Sequence, residues 1–319
     1  MTLERQNQYP SSLAALRLTG ERGRARQESI QRSRGIMRLK RSGIRIPASR
    51  CSSFTTAWRY PIPAAPRRAF NTSQRWSVRI RDVSNIVTVA ARKGGVGKTT
   101  LAYELAWLLD APLVDLEFDE GSATRVWGYR HEDRVRAPLL DALESGRTPR
   151  PLSGYHKPDL VPCHPDFQLN QPAADDMADA LSRWAGEWQR DFVVVDTHGG
   201  GSPSGDGAIA AASVVVVPVP LKTKDLNATE GMIREMPDYP LVIVPNMVPR
   251  VPSAAEIDRV AQIVAGTPVP VAEPVPYVRG IETRKKRVAI TSEDPTPKAY
   301  QPFVAALHSL AGFVKAQRP

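Results

Sequence analysis

The sequence predicts an α/β fold: a mostly parallel central sheet with helices on both faces, preceded by a basic N-terminal extension. Three observations carry that expectation. Short, uniformly apolar runs rich in β-branched residues recur between residues 86 and 246. Stretches of helical periodicity lie between them. The excess positive charge sits in the first quarter of the chain, where neither pattern occurs.

That first quarter is residues 1–84. It holds 18 Lys and Arg against four acids, a net of +14, so the total of +10 leaves −4 for residues 85–319. Its text, such as "ERGRARQESIQRSRGIMRLKRSGIRIPASR" and "RYPIPAAPRRAF", is rich in Arg, Ser, Gly and Pro. A segment that buries so little apolar area is expected to stay disordered. Three readings of it stand side by side. It is a basic arm for DNA phosphates, or an over-called start with the protein beginning near Met37 or Val83, or an organelle transit peptide. The arginines suit the last reading and the early glutamates do not.

The two cysteines, Cys51 and Cys163, leave no disulfide framework or cysteine metal cluster and fit a reducing compartment. No apolar run reaches the roughly 20 residues of a membrane helix.

From Asn85 the pattern changes, and residues 85–319 read as one domain. The strand candidates are "IVTVAA" (86–91), "APLVD" (111–115), "DLVPC" (159–163), "FVVVD" (192–196), "SVVVVPV" (213–219) and "LVIVPN" (241–246). Runs apolar at every position suit strands buried on both faces. Between them, Leu101, Leu105, Leu108 and Leu109 fall on one helical face. Ser253 with Glu256 has the spacing of a capping box ahead of Ile257, Val260, Ala261 and Val264. Tyr300, Phe303, Val304, Leu307, Leu310, Ala311 and Val314 mark a long amphipathic final helix. Alternation of this kind predicts parallel strands joined by helical crossovers.

Ligands of such sheets sit beyond the carboxyl ends of the strands. There the chain reads "VAARKGGVGKTTLAYEL", residues 89–105. Gly94, Gly95 and Gly97 let the backbone, Val96 included, curl so that successive N–H groups face an anion. The helix that follows adds its positive N-terminal end. Lys98 can reach β- and γ-phosphates, and the hydroxyl of Thr99, followed by Thr100, can hold Mg²⁺. These residues predict a P-loop NTPase that binds ATP with Mg²⁺. Asp196 ends a buried strand in "DFVVVDTHGGG", a Walker B-like arrangement. A carboxylate there is costly unless compensated, and Mg²⁺ is the compensation expected. His198 follows and offers itself as a base, but phosphoryl transfer needs positioning and charge stabilisation above all, which speaks against that role.

The loop departs from the general phosphate-loop pattern at its first position, which is Arg92 rather than glycine. The run Lys-Gly-Gly-Val-Gly-Lys-Thr-Thr, residues 93–100, closely resembles the deviant Walker A box of the ParA/MinD group of P-loop ATPases. The resemblance extends over about residues 85–319. It implies that Lys93 reaches across a nucleotide-sandwich homodimer to the partner's phosphates, a role like that of an arginine finger. Asp115, in "LVDLEFDEGSATRVWG", matches the first aspartate of the family's Asp-x-Asp segment, with catalytic and metal roles implied. The second acid, which the family uses to orient the attacking water, is Glu117 here, so the resemblance implies a catalytic role for it, with Asp119 as the alternative; the segment is one residue longer. Asn246 matches an asparagine that hydrogen-bonds adenine. Arg279, Arg284, Lys285, Lys286 and Arg287 fall in the late basic loop through which the family implies non-specific DNA binding.

The function so implied is a DNA-partitioning ATPase of plasmid or chromosome, cytoplasmic and nucleoid-associated. Its ATP dimer would bind DNA and be released by a ParB-like partner, with no membrane expected. A MinD-like positioning switch needs a basic amphipathic terminal helix, and only Lys315 and Arg318 lie near the chain's end. An iron–sulfur reductase relative needs paired cysteines, and residues 85–319 contain only Cys163. A weakly hydrolysing ATP-binding switch is the reading favoured if Glu117 cannot stand in for aspartate.

Overall fold

The computed structural model describes residues 85–119, 122–133 and 137–317. The expectations placed on residues 1–84 lie outside the described residues.

The order along the chain is β1 (Asn85–Val89), α1 (Lys98–Leu108), β2 (Leu113–Asp115), α2 (Ala123–Trp127), α3 (Pro138–Ser145), β3 (Leu152–Gly154), β4 (Lys157–Val161), α4 (Ala174–Trp188), β5 (Phe192–Asp196), α5 (Pro203–Ala210), β6 (Val214–Pro220), α6 (Thr223–Glu235), β7 (Leu241–Asn246), α7 (Ala254–Val264) and α8 (Gln301–Ala316). Seven strands form one sheet in the order β3-β4-β2-β5-β1-β6-β7. Every neighbouring pair is parallel except β3–β4, which is antiparallel. β1 lies between β5 and β6, so the chain leaves it at the centre of the sheet's carboxyl edge.

The six apolar runs become six of the seven strands, and the uniform apolarity has the expected cause. Successive residues of a strand point to opposite faces, and both faces are covered. Val87, Val89, Val194 and Val216 pack with Leu101 and Leu105 of α1 and Leu307 and Leu310 of α8. Ile86, Val193 and Val195 pack with Met177, Leu181 and Trp184 of α4. Val215, Val217 and Ile243 meet Leu226 and Met232 of α6 and Val260 of α7.

Two details differ from expectation. β3, sequence Leu-Ser-Gly, gives no apolar run because it is a short, partly exposed edge strand. Ser253 does stand at the N-terminus of α7, but its side chain makes no capping hydrogen bond. Instead the Glu256 and Ile257 amides donate to the Ser253 carbonyl at 3.2 Å each.

The crossing of α4 and α5 depends on a missing side chain. A Cβ on Gly207 would stand 2.3 Å from the Ala174 carbonyl oxygen and 2.8 Å from the Met177 Cβ. Nothing lies within 4 Å of the same point on Gly312, on the exposed side of α8. Gly207→Ala should therefore cost about 1–3 kcal/mol, as other overpacked cores do. Gly312→Ala should stabilise by about 0.5–1 kcal/mol through helix propensity. Urea unfolding of the two variants checks the contrast, and equal effects would contradict the packing described.

Candidate functional site

The loop between β1 and α1 stands at the centre of the sheet's carboxyl edge. Gly95 and Gly97 have φ of +73° and +89°, in the left-handed region that favours glycine. Gly97 is constrained twice, since a Cβ there would lie 2.4 Å from the Asn246 side-chain nitrogen. Lys98 opens α1 and is buried. The chain leaving β5 closes over this loop. Thr197 donates from its amide (3.3 Å) and its hydroxyl (3.0 Å) to the Val89 carbonyl. Two residues on, a Cβ on Gly199 would fall 3.1 Å from the Gly94 nitrogen and Cα and 3.2 Å from the Lys98 Nζ. A side chain there would press on the Gly94 backbone and the Lys98 ammonium.

Two buried carboxylates end the adjacent strands. Asp115 of β2 and Asp196 of β5 are register partners, and both are fully buried. Their environments differ. Asp115 Oδ1 accepts from the Glu117 amide (3.0 Å), and Oδ2 accepts from the Thr124 amide and hydroxyl (2.6 Å each). The Thr124 hydroxyl accepts in turn from the Cys163 amide at 2.9 Å. Asp115 thereby pins the β2–α2 loop to the sheet. Burial pushes its carboxyl up to about 6, against these hydrogen bonds, which pull the other way.

Neither oxygen of Asp196 has a hydrogen-bond partner of ordinary geometry. Burial, and then the Asp115 charge, push its carboxyl well above the usual range. The Thr99 hydroxyl and the Lys98 ammonium nearby oppose them. A buried carboxylate with open lone pairs beside a threonine hydroxyl is a donor set that suits a divalent cation.

Between the two possible acids of the β2–α2 loop, the structure brings one inward. The Glu117 side chain is 12% exposed, and its Oε1 lies 2.6 Å from His198 Nδ1. Asp119 is 71% exposed and 3.9 Å from the same nitrogen. The Phe118 ring stacks on the His198 ring, with centroids 4.2 Å apart and planes 15° apart. The Glu117–His198 pair is not legible in the sequence; its one signal is a polar ring two residues after the buried strand-end carboxylate.

Asn246, at the end of β7, is buried, and its Nδ2 donates to the Val96 carbonyl at 2.8 Å. It therefore holds the glycine loop from the β7 side. Beside it a cavity of about 260 Å³ is lined by Thr99, Thr100, Asn246, Met247 and Tyr277, among others. Lys93 lies 3.3 Å from Asp225 at the start of α6, and Arg92 lies 2.6 Å from Glu235 at its end.

The late basic loop divides. Arg279, Lys285, Lys286 and Arg287 are exposed. Arg284, expected with them, turns inward. Its side chain is 11% exposed and 3.2 Å from Glu293, and Nη1 donates to the Lys286 and Val288 carbonyls at 2.8 and 2.7 Å. A guanidinium spent on closing its own loop is not presented to a flat surface. Lys286 also pairs with Glu293. Glu104 of α1 anchors the following turn, accepting from the Ile290 amide, the Thr291 amide and the Thr291 hydroxyl at 2.7–2.9 Å. Burial raises its carboxyl above the usual range.

No family model matches the chain. Over 152 residues it is 34% identical to the chromosome-partitioning ATPase Soj of Thermus thermophilus, covering 46% of this chain and 59% of that protein. The chain thus spans less than two thirds of the curated relative it matches. A McdA–ATP complex from Cyanothece superposes with a TM-score of 0.57 at 17% identity, over 71% of this chain and 96% of that one. The septum site-determining protein MinD of Pyrococcus horikoshii, complexed with Mg-ADP, gives 0.56 at 18%, over 73% and 98%. At such identities the likeness shows the fold, that of the MinD-type P-loop NTPases. With the homology to Soj, it supports the ParA/MinD family.

The environment of Asp115 has a consequence for stability. With its carboxyl raised from 3.8 to about 6 in the folded chain, the native state holds a proton that the unfolded state has released. Stability from this site is present below pH 4 and lost as pH rises through 6. In Mg²⁺-free protein the loss should be about 3 kcal/mol. Asp115→Asn should make the fall shallower in urea midpoints measured between pH 4 and pH 7, leaving the part that the raised Asp196 carboxyl contributes, and parallel curves for the two proteins would contradict it.

Proposed function

We propose that this chain is an ATPase that switches between monomer and ATP-bound homodimer and acts in DNA partitioning. The observation that carries the reading is the phosphate loop with its two lysines, set over a buried, unpaired Asp196. The amides of residues 94–97 form a concave nest for phosphate oxygens. Lys98 opens the helix behind it and serves the chain's own nucleotide, while Lys93, on the rim, serves a partner's. Thr99 and Asp196 would hold Mg²⁺, which neutralises charge developing on the phosphates when bound. Asp115 acts by fixing the β2–α2 loop beside that centre. Asn246 supports the loop, and its side-chain oxygen remains for an adenine amino group.

The partitioning role is supported by the identity to Soj and by the exposed cations Arg279, Lys285, Lys286 and Arg287. Cations of that type bind phosphates without reading bases. A ParB-like protein that stimulates hydrolysis completes the cycle, which places the protein in the cytoplasm on the nucleoid. The fold shared with MinD raises a membrane-positioning reading. Against it, α8 spends Phe303, Leu307, Leu310 and Val314 on the core rather than on a bilayer. No helix among the described residues is long and apolar enough to cross a membrane.

Two experiments test the reading. Lys98→Ala should lose nucleotide binding, whereas Lys93→Ala should bind ATP normally yet neither dimerise with ATP nor hydrolyse it, as read by light scattering and phosphate release. A Lys93→Ala protein that dimerises and turns over normally would reduce the reading to a generic P-loop protein. In DNA binding with ATP, neutralising the four exposed cations should flatten the salt dependence by about 0.9 logarithmic units for each DNA phosphate that no longer meets a cation. Pelleting with liposomes but not with DNA would replace partitioning by membrane positioning.

A further inference from the structure

Resting on the ATPase reading, we propose that Glu117 and His198 act as one unit that holds the attacking water, with His198 as the catalytic residue and Glu117 as its positioning residue. The backbone fixes where His198 stands. One residue before it, Thr197 is bonded twice to the Val89 carbonyl, where the chain leaves β1. One residue after it, Gly199 lies against Gly94 and the Lys98 ammonium. The histidine is therefore carried at the phosphate end of the site, next to the lysine that binds β- and γ-phosphates.

The side chains fix its orientation. Phe118 stacks on one face of the ring, and Glu117 Oε1 meets Nδ1 at 2.6 Å. An ionised carboxylate can only accept, so Nδ1 carries the hydrogen, and in the neutral ring Nε2 is then the acceptor. Glu117 does not itself hold the water through that oxygen, which already accepts from the ring and from the Asp119 amide at 3.2 Å. The Glu117 amide is bonded to Asp115, so the unit is referenced to the same pair of strand ends as the metal-binding carboxylate.

In the step itself, water donates a hydrogen bond to His198 Nε2. The water oxygen forms a bond to the γ-phosphorus as the bond to the β,γ-bridging oxygen breaks. That electron pair leaves with ADP, and the water proton passes to Nε2 and from there to solvent. Positioned proton acceptors contribute about 10²–10⁴-fold in rate, with the lower end expected where positioning dominates.

The test compares full-length wild type, Lys98→Ala, His198→Ala, His198→Gln and Glu117→Gln. Binding of a fluorescent ATP analogue and steady-state ATP turnover are measured with Mg²⁺, DNA and the cognate DNA-binding partner. His198→Ala is expected to bind the analogue as wild type does, with kcat down about 10²-fold and KM unchanged. His198→Gln, whose amide oxygen can accept from water, should recover part of kcat. Glu117→Gln should lower kcat less than His198→Ala and leave binding intact. If His198→Ala and Glu117→Gln turn over ATP at the wild-type rate while Lys98→Ala is dead, the His198 assignment falls and the ATPase reading stands. The assignment falls equally if both histidine variants lose nucleotide binding together with turnover, since the ring is then structural. If wild type is no faster than Lys98→Ala, the ATPase reading falls and this inference with it.

Discussion

Two aspartates buried side by side at the ends of parallel strands set the terms for the rest of the site. Asp115 and Asp196 are register partners with no exposure to water, and burial raises both carboxyls, that of Asp196 further through the Asp115 charge. Like charges so placed are tolerated only when something answers each of them. The chain answers one from within: three hydrogen bonds, two of them from Thr124, satisfy Asp115 and tie down the loop that carries Glu117. It leaves the other without a hydrogen-bond partner of ordinary geometry, beside Thr99 and Lys98. The asymmetry of the pair separates an aspartate satisfied within the chain from one that is not.

Close backbone approach is the second constraint, and it serves the first. The phosphate loop needs left-handed residues at Gly95 and Gly97. The segment after β5 needs Gly199 to lie on Gly94 without a side chain between. Asn246 then clamps the loop from the opposite side through the Val96 carbonyl. The loop is thus held between the ends of β5 and β7. A site built on strand ends rather than on a free loop keeps its geometry when charge arrives, which electrostatic catalysis requires.

His198 shows how a departure from a motif can be more informative than agreement with it. A longer acid at position 117 and a histidine at position 198 are separate oddities along the chain. In space they are partners at 2.6 Å, and each accounts for the other. The basic loop teaches the converse. Five cations close together in sequence look alike, yet Arg284 closes its own turn against Glu293 while Arg279, Lys285 and Arg287 face solvent.

The sequence by itself determined whatever repeats with a short period or depends on neighbours along the chain. Strands buried on both faces carry largely apolar runs, so β1, β2, β5, β6, β7 and the apolar end of β4 could be read directly. The glycine-lysine-threonine run announced an anion site because its chemistry is local. The tertiary structure decided what depends on pairing across the sheet. β3 carries no apolar signal because an edge strand has little to bury. The division of labour between Asp115 and Asp196, the inward turn of Arg284 and the bond from Asn246 to the loop join residues 9 to 150 positions apart. No periodicity encodes such partners; they are fixed by which strand ends and loops the fold brings side by side, and burial then makes each polar group find a partner.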